Sequence, residues 1–272
     1  MRNSRLSDWL VKDWGDRAFR IYYILFLCYI FLPLAVLVLY AFNASEYLTW
    51  PLKGLTFHWF QKAFDDSKLI LALKNSVIIG LVTTFFSTLI GGGLAYGLVR
   101  FRFRGKTLLE ALNIMAIITY GVVSAVSVLL WFRFLGIPGG IWPTILGHTT
   151  FIMPFAVMVI RDRLLNFDLE IEEAAMDLGA TRLRTFWDVT LPLIIPSVLA
   201  AALFCFTISL GEFLLAFFLI GHELTLPVYL YSLMRFTFTP AVNAAAVLII
   251  SFPTLAVIVA TIFFRHEVEG MY

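Results

Sequence analysis

Charge is what this sequence has least of. Charged residues make up 14% of the 272 positions and hydrophobic residues 61%, whereas an ordinary soluble domain is about a quarter charged. So few charges cannot coat a water-facing globule. The chain has instead apolar runs of about 20 residues, the length that a helix needs to cross the bilayer core. Barrel strands would alternate over about ten residues, so the pattern predicts an all-α membrane protein.

Cysteine and clustered ligand residues are scarce as well. The two cysteines, Cys28 and Cys205, fall inside apolar runs, which indicates packing residues and argues against a disulfide framework. No set of His, Cys, Asp or Glu has the spacing of a metal site or an active site. We therefore expect no metal, no catalytic residue and no enzymatic activity. The net charge of +2 gives no reason to expect a nucleic-acid partner.

Six apolar runs are candidate membrane spans. No small-residue cleavage site follows the first run, so we expect a retained helix and not a signal peptide. The candidate spans cover residues 22–42, 71–99, 109–135, 143–160, 191–220 and 241–264.

Basic residues give these runs an orientation. With the N-terminus inside, 14 of the 20 Lys and Arg residues fall in inner segments, and such a bias marks the cytoplasmic side. We therefore expect both termini in the cytoplasm. The expected organisation is a cytoplasmic segment at 1–21, a six-span domain at 22–264 with an inner loop at about 161–190, and a cytoplasmic tail at 265–272.

Glycine is concentrated in the second run. Gly93 and Gly97 form a G-x-x-x-G pair, a spacing that lets two helices approach closely. Packing within this one chain and contact with another subunit both remain open as explanations.

The inner loop between the fourth and fifth runs contains a predicted short helix. Residues 169–178 are acidic toward their N-terminal end, where the helix dipole favours negative charge. Gly179 is placed to end this helix, and Pro192 lies near the start of the next span, where a missing N–H does little harm. Such a helix either lies on the lipid surface or docks a soluble partner, and its composition leaves both open.

The same loop carries a recognisable motif. Glu173-Ala174-Ala175, then Gly179, then Leu191-Pro192 resembles the E-A-A…G…L-P loop of ABC importer permeases. The extended form E-A-A-x-D-L-G-A is also present, from Glu173 to Ala180. In that family the loop is a coupling helix that sits in a cleft of the ATP-hydrolysing subunit.

The resemblance implies a role for individual residues and a set of partners. The implied ATPase-coupling residues are Glu173, Ala174, Ala175, Asp177 and Gly179. The implied partners are two ATPase subunits, which would bind ATP and Mg, a second permease that is a sister chain in preference to a second copy, and an extracytoplasmic binding protein. The implied location is the bacterial inner membrane, crossed several times.

Other stretches are similar to the spermidine/putrescine-type permeases in particular. They are Gly136-Ile137-Pro138, Phe167-Asp168, and the segments 226–232 and 239–244. The chain departs from that pattern at Tyr120-Gly121, where a proline is frequent, and at 209–212, where paired aspartates are frequent. The resemblance implies import of polyamines or similar small organic cations, with thiamine, iron, an opine or an aminophosphonate as alternative solutes. An ion-driven secondary transporter is the more distant alternative.

The chain lacks a nucleotide-binding loop of its own. A P-loop requires G-x-x-x-x-G-K-[ST], and Gly105-Lys106-Thr107 supplies only its tail, with Arg100 where the first glycine should stand. We therefore expect no cofactor on this chain and ATP hydrolysis on separate subunits.

Glu212 is the only acidic residue deep within a predicted span. A carboxylate in hydrocarbon is costly, so it should face a cavity or a partner. Because residues three apart share a helix face, Ser209 and Glu212 are together candidates for a pathway that attracts a cation. A structural pairing or a neutral buried acid explains Glu212 equally well.

Overall fold

The computed structural model describes residues 4–46, 50–119, 121–236 and 240–248, together with 250, 251, 254, 255 and 258. Within these residues the chain is helical and has no strand beyond one isolated bridge, Asn43 to Leu55, which confirms the all-α prediction there. The helices are α1 (Ser4–Ala41), α2 (His58–Asp65), α3 (Ser67–Arg100), α4 (Lys106–Ile118), α5 (Val122–Phe134), α6 (Ile141–Leu165), α7 (Leu169–Asp177), α8 (Arg182–Thr185), α9 (Leu191–Gly211), α10 (Leu214–Leu219) and α11 (Leu226–Phe236). A π-helical turn, Phe186–Thr190, joins α8 to α9.

Several of these helices have the length and composition of membrane spans. Among the described residues, four runs qualify: Phe19–Ala41, Ser67–Arg100, Ile141–Leu165 and Arg182–Gly211. The number becomes five if α4 and α5 form one bent span. The predicted sixth span, 241–264, lies partly outside the described residues, and the predicted tail, 265–272, lies wholly outside them.

Two predicted spans are interrupted, which corrects the expectation of unbroken helices. In the third run, α4 and α5 meet at 109°, and Gly121, with φ +138°, stands directly before α5. In the fifth run, α9 ends at Gly211 and the short α10 begins at Leu214. Both runs are predominantly apolar, so their mean hydropathy alone does not reveal the breaks.

One compact unit comprises Met1–Asp65 and Phe236–Leu248. In its described part, Ala41, Trp59 and Ala244 share a small core. The indole N–H of Trp59 donates to the Asn43 carbonyl at 2.7 Å. From Phe19 onward the apolar side chains of α1 are mostly exposed, and so is Cys28, so Cys28 is not the packing residue that was predicted.

The other unit comprises Asp66–Arg235 and Ile249–Tyr272, and its core is built by α3, α6 and α9, which pack against one another. Leu98 of α3, Ile152 and Ile160 of α6, and Ile194 and Cys205 of α9 are buried in one cluster. Cys205 is therefore a packing residue, as predicted. These three helices form the scaffold on which the candidate site is built.

Close packing of α3 on α6 depends on a glycine, but not on the predicted pair. A Cβ built at Gly91 would lie 2.9 Å from the Cβ of Ala156 and 3.1 Å from the Met153 carbonyl oxygen. Within the described part of the chain, no atom lies within 4 Å of a Cβ built at Gly93 or Gly97. Packing against the described residues therefore does not explain the G-x-x-x-G pair.

Candidate coupling site

The predicted inner-loop helix is present as α7, Leu169–Asp177. Its N-terminus is capped by Asp168, whose carboxylate accepts the backbone N–H of Glu170 at 3.0 Å. Glu170 and Glu172 lie in the first turn, where the exposed N–H groups and the dipole favour negative charge. The cap and the acidic first turn therefore fix where this short helix begins.

Gly179 ends α7, as the sequence predicts. Its φ is +92°, a conformation that costs a side-chain-bearing residue but not glycine. The Gly179 N–H donates to the Met176 carbonyl at 2.9 Å, and the Ala180 N–H donates to the Ala175 carbonyl at 3.1 Å. These two bonds satisfy carbonyls at the helix end, in the manner of a Schellman motif, and redirect the chain into α8.

Most of the predicted coupling residues lie on an exposed face of α7. Glu173, Ala174, Asp177 and Gly179 are exposed, and Ala175 is half-buried. Apolar side chains accompany them: Leu178, directly after the helix, is 90% exposed. An exposed patch that mixes acidic, small and large apolar residues is typical of a surface that contacts a partner.

The opposite face of α7 is attached to the scaffold through Glu172, the one buried residue of the helix. The Oε1 of Glu172 lies 2.9 Å from a guanidinium nitrogen of Arg100. The same oxygen accepts the hydroxyl of Thr190 at 2.8 Å. Arg100 is the last residue of α3 and Thr190 directly precedes α9, so one carboxylate joins α7 to two scaffold helices.

Arg100 reaches the third scaffold helix as well. A guanidinium nitrogen of Arg100 donates to the Leu164 carbonyl, in the last turn of α6, at 3.4 Å. The guanidinium carbon lies 5.5 Å from the centre of the Phe167 ring, within the range of a cation–π contact. A cavity of about 190 Å³ adjoins the pair and is lined in part by Met176 and Arg182.

No sequence pattern indicates Arg100, Glu172 or Thr190 as residues of this site. Arg100 and Glu172 are 72 positions apart, and no spacing rule relates residues at that distance. The available signal was weak: a basic residue at the end of one apolar run, and an acidic residue within a short loop helix. The folded contact of α3, α6 and α7 is needed to pair them.

The chain enters α9 through the π-helical turn, which accommodates Pro192. In that turn the Leu191 N–H donates to the Phe186 carbonyl, one residue farther back than in an α-helix. Pro192 has no N–H to donate, and its ring would clash with the carbonyl four residues before it. The wider turn relieves this conflict, so the helical run continues from Arg182 to Gly211. The run thus starts earlier than the predicted span at 191.

The predicted pathway residues, Ser209 and Glu212, are both buried. Ser209 lies in α9, and its hydroxyl is 2.9 Å from Nδ1 of the buried His148 in α6. Glu212 lies one residue past the end of α9, and its carboxylate accepts the Leu215 N–H of α10 at 3.0 Å. The helix is therefore not continuous through Glu212, and the joint pathway role of the two residues stays a prediction.

Comparison with known proteins identifies the family. Residues 87–266 match the family described as "binding-protein-dependent transport system inner membrane component". The chain belongs to this family. The matched segment contains α7, Gly179, both partners of the Arg100–Glu172 pair, and Glu212. The chain is thus the permease subunit of an ABC transport system and not itself an enzyme.

Two relatives and one solved structure extend this result. The permease is 35% identical to the spermidine/putrescine transport system permease protein PotC of Haemophilus influenzae over 242 residues, 88% of this chain and 93% of PotC. It is also 35% identical to the putrescine transport system permease protein PotI of Escherichia coli, over 82% of each chain. A chain of a bacterial alginate ABC transporter, solved in complex with a periplasmic protein that holds an alginate pentasaccharide, shares the fold at 17% identity, with a TM-score of 0.74 over 97% of this chain and 98% of that one.

Proposed function

We propose that this chain forms half of the translocation pathway of a bacterial ATP-driven importer of polyamines or similar small organic cations. The substrate class is proposed because the chain is 35% identical, over most of its length and theirs, to permeases named for spermidine and putrescine transport. Import, with an extracytoplasmic binding protein that captures the solute, follows from the same relationship.

The α7 surface is the proposed docking site for an ATPase subunit. Its exposed acidic residues, Glu170, Glu173 and Asp177, would meet basic groups on the rim of a cleft. Burying the exposed Leu178 side chain would contribute about 1.5–3 kcal/mol. The small Ala174 and Ala175 side chains would let the helix seat closely. ATP and Mg would be held by two such ATPase subunits, since this chain carries no complete P-loop motif.

A second permease would complete the pathway. No described residue of this chain packs against Gly93 or Gly97 within 4 Å of a Cβ built there. Glycines at this spacing permit close approach of another membrane helix. This arrangement supports the subunit-contact explanation of the G-x-x-x-G pair. A sister chain is the proposed partner, in preference to a second copy.

The proposed topology has six spans with both termini in the cytoplasm, which puts α7 on the ATPase side. Single cysteines at Gly105, Arg182, Glu46 or Pro138, in a chain with Cys28 and Cys205 replaced, would be treated with an impermeant thiol reagent on intact cells. Glu46 and Pro138 are exposed neighbours of Ser45 and Gly139, and we expect labelling only at positions 46 and 138. External labelling of the Arg182 position would refute the topology and with it the docking proposal.

Glu212 is proposed to ease passage of the cation. An ionised carboxylate near the path lowers the energy of a positive charge in a low-dielectric region. Glu212→Gln removes the charge, while its amide oxygen can still accept the Leu215 N–H. We expect slower uptake per assembled complex, and at least as much loss in Glu212→Ala. Unchanged uptake per complex in Glu212→Gln would refute the pathway role, and loss of protein abundance would indicate a structural one.

The proposed function as a whole is tested in proteoliposomes that contain the complete transporter and its binding protein. We expect ATP-dependent accumulation of labelled spermidine or putrescine, insensitive to collapse of ion gradients. Uptake of thiamine, iron, an opine or an aminophosphonate without polyamine uptake would overturn the substrate class. Uptake driven by an ion gradient without ATP would overturn the ABC mechanism.

A further inference from the structure

The Arg100 side chain touches the ends of several elements around α7. Its guanidinium contacts Glu172 of α7, the Leu164 carbonyl of α6 and the Phe167 ring between them, and its own backbone ends α3. Through Glu172 the contact extends to Thr190 at the start of α9. A fork-shaped guanidinium suits such a position because its several donors point in fixed directions.

The pair is held together by its burial. The Arg100 and Glu172 side chains are 11% and 10% exposed. Separating them, or removing one, would leave the other charge buried without its partner, which is strongly unfavourable. A displacement of α7 is therefore resisted unless the end of α3 follows it. Because the same carboxylate accepts the Thr190 hydroxyl, the start of α9 is included in this constraint.

The backbone offers a second connection. α7 packs against α8 and the π-helical turn, and these lead without interruption into α9. Motion of α7 would reach α9 along the chain even without the ion pair. The π-helical turn also contacts α3, through the rings of Phe186 and Tyr96, whose centres lie 4.9 Å apart. The direct contact of α7 itself with the end of α3 is the Arg100–Glu172 ion pair.

We propose that Arg100, paired with Glu172, is a positioning residue that transmits movement of α7 to the ends of α3 and α6. This inference rests on the proposed function, in which α7 docks on an ATPase that moves during its cycle. The pair makes the scaffold helices respond together instead of leaving α9 to move alone. Its loss should uncouple ATP hydrolysis from transport more than it weakens docking.

The test uses the complete transporter with its binding protein. Arg100→Gln, Glu172→Gln and the double variant are assayed for ATPase retention, ATP hydrolysis and uptake. We expect docking to be retained and uptake per ATP hydrolysed to fall about ten-fold, the scale of one charge-assisted hydrogen bond. Because the residues act through each other, the double variant should be no worse than the worse single variant.

The chain provides a matched control. Arg161 and Glu110 form another ion pair, at 2.8 Å, between α6 and α4, without contacting α7. Glu110→Gln removes a charge of the same kind from α4 and leaves its partner Arg161 on the scaffold helix α6, and its uptake per ATP should match the wild type. An equal loss in Glu110→Gln would overturn a specific role for Arg100.

Further outcomes decide the remaining possibilities. If Arg100→Gln fails to assemble, Thr190→Val removes one hydroxyl donor to Glu172 at constant shape and should lower uptake per ATP by a smaller factor. Arg100→Lys should restore part of the coupling because it keeps the charge. Wild-type uptake per ATP in Glu172→Gln, or losses that multiply in the double variant, would overturn the inference. A wild-type chain that retains no ATPase would instead refute the proposed function itself.

Discussion

Gly179 offers the sharpest test of how α7 is presented to a partner. Its φ of +92° lies where residues with a side chain are rarely found. No described atom lies within 4 Å of a Cβ built at this position, so a substitution introduces no steric clash. Within this chain its effect therefore comes from the backbone alone, which makes the size of that effect calculable.

The expected magnitude follows from the cost of left-handed backbone. That conformation costs about 1–2 kcal/mol for an L residue, more for a β-branched one, and little for asparagine, whose side chain bonds locally. A cost of about 1–2 kcal/mol changes a population about 5- to 30-fold. We therefore expect the fraction of chains in which the turn after α7 is formed and α7 can dock to be highest in Gly179→Asn, lower in Gly179→Ala and lowest in Gly179→Val.

The assay is retention of the ATPase subunit on the purified permease, together with binding-protein-stimulated ATP hydrolysis. Protein abundance in the membrane should stay near the wild-type level in all three variants, because Gly179 is exposed and outside the core. Wild-type coupling in Gly179→Val would refute the docking role of this turn. Equal losses in Gly179→Asn and Gly179→Val would show that backbone conformation is not the cause.

Two further predictions concern stability. Gly91→Ala should lower thermal stability in detergent by about 1–3 kcal/mol through overpacking against Ala156, whereas Gly93→Ala on the same helix should not, and equal effects would contradict the packing argument. Burial and the hydrogen bond donated to Asp66 raise the pKa of Tyr229 from 10.0 to about 12. The folded state therefore holds this proton more tightly than the unfolded state, and wild-type stability should fall as the pH rises from about 10 to about 12. Tyr229→Phe should lack that step in a melting-temperature profile against pH, and a step of the same size in the variant would contradict the assignment.

Local signals explain why the loop could be predicted in detail. The helix expected at 169–178 is observed at Leu169–Asp177, and Gly179 ends it as expected. An acidic first turn and a following glycine act over a few residues, where sequence and structure are directly related.

Long-range features could not be predicted in the same way. The breaks near Gly121 and Glu212 interrupt runs that are predominantly apolar, and the mean hydropathy of a run does not distinguish a bent segment from a straight one. The glycine that packs α3 against α6 is Gly91, not the recognisable pair at Gly93 and Gly97. Which face of a membrane helix meets its neighbour depends on the whole bundle, since lipid and protein interior are similarly apolar.

The two adjacent glutamates of α7 show how far a motif can be interpreted without the fold. Consecutive helical residues point about 100° apart, so Glu172 and Glu173 cannot both face the scaffold. Glu172 is buried against Arg100, whereas Glu173 is exposed. The exposed one belongs to the recognised motif, which fits a motif defined by contact with a partner, while its neighbour holds the helix in place. Loss of charge at position 173 should therefore weaken docking of the ATPase subunit. The same change at position 172 should leave docking intact and lower the uptake per ATP hydrolysed.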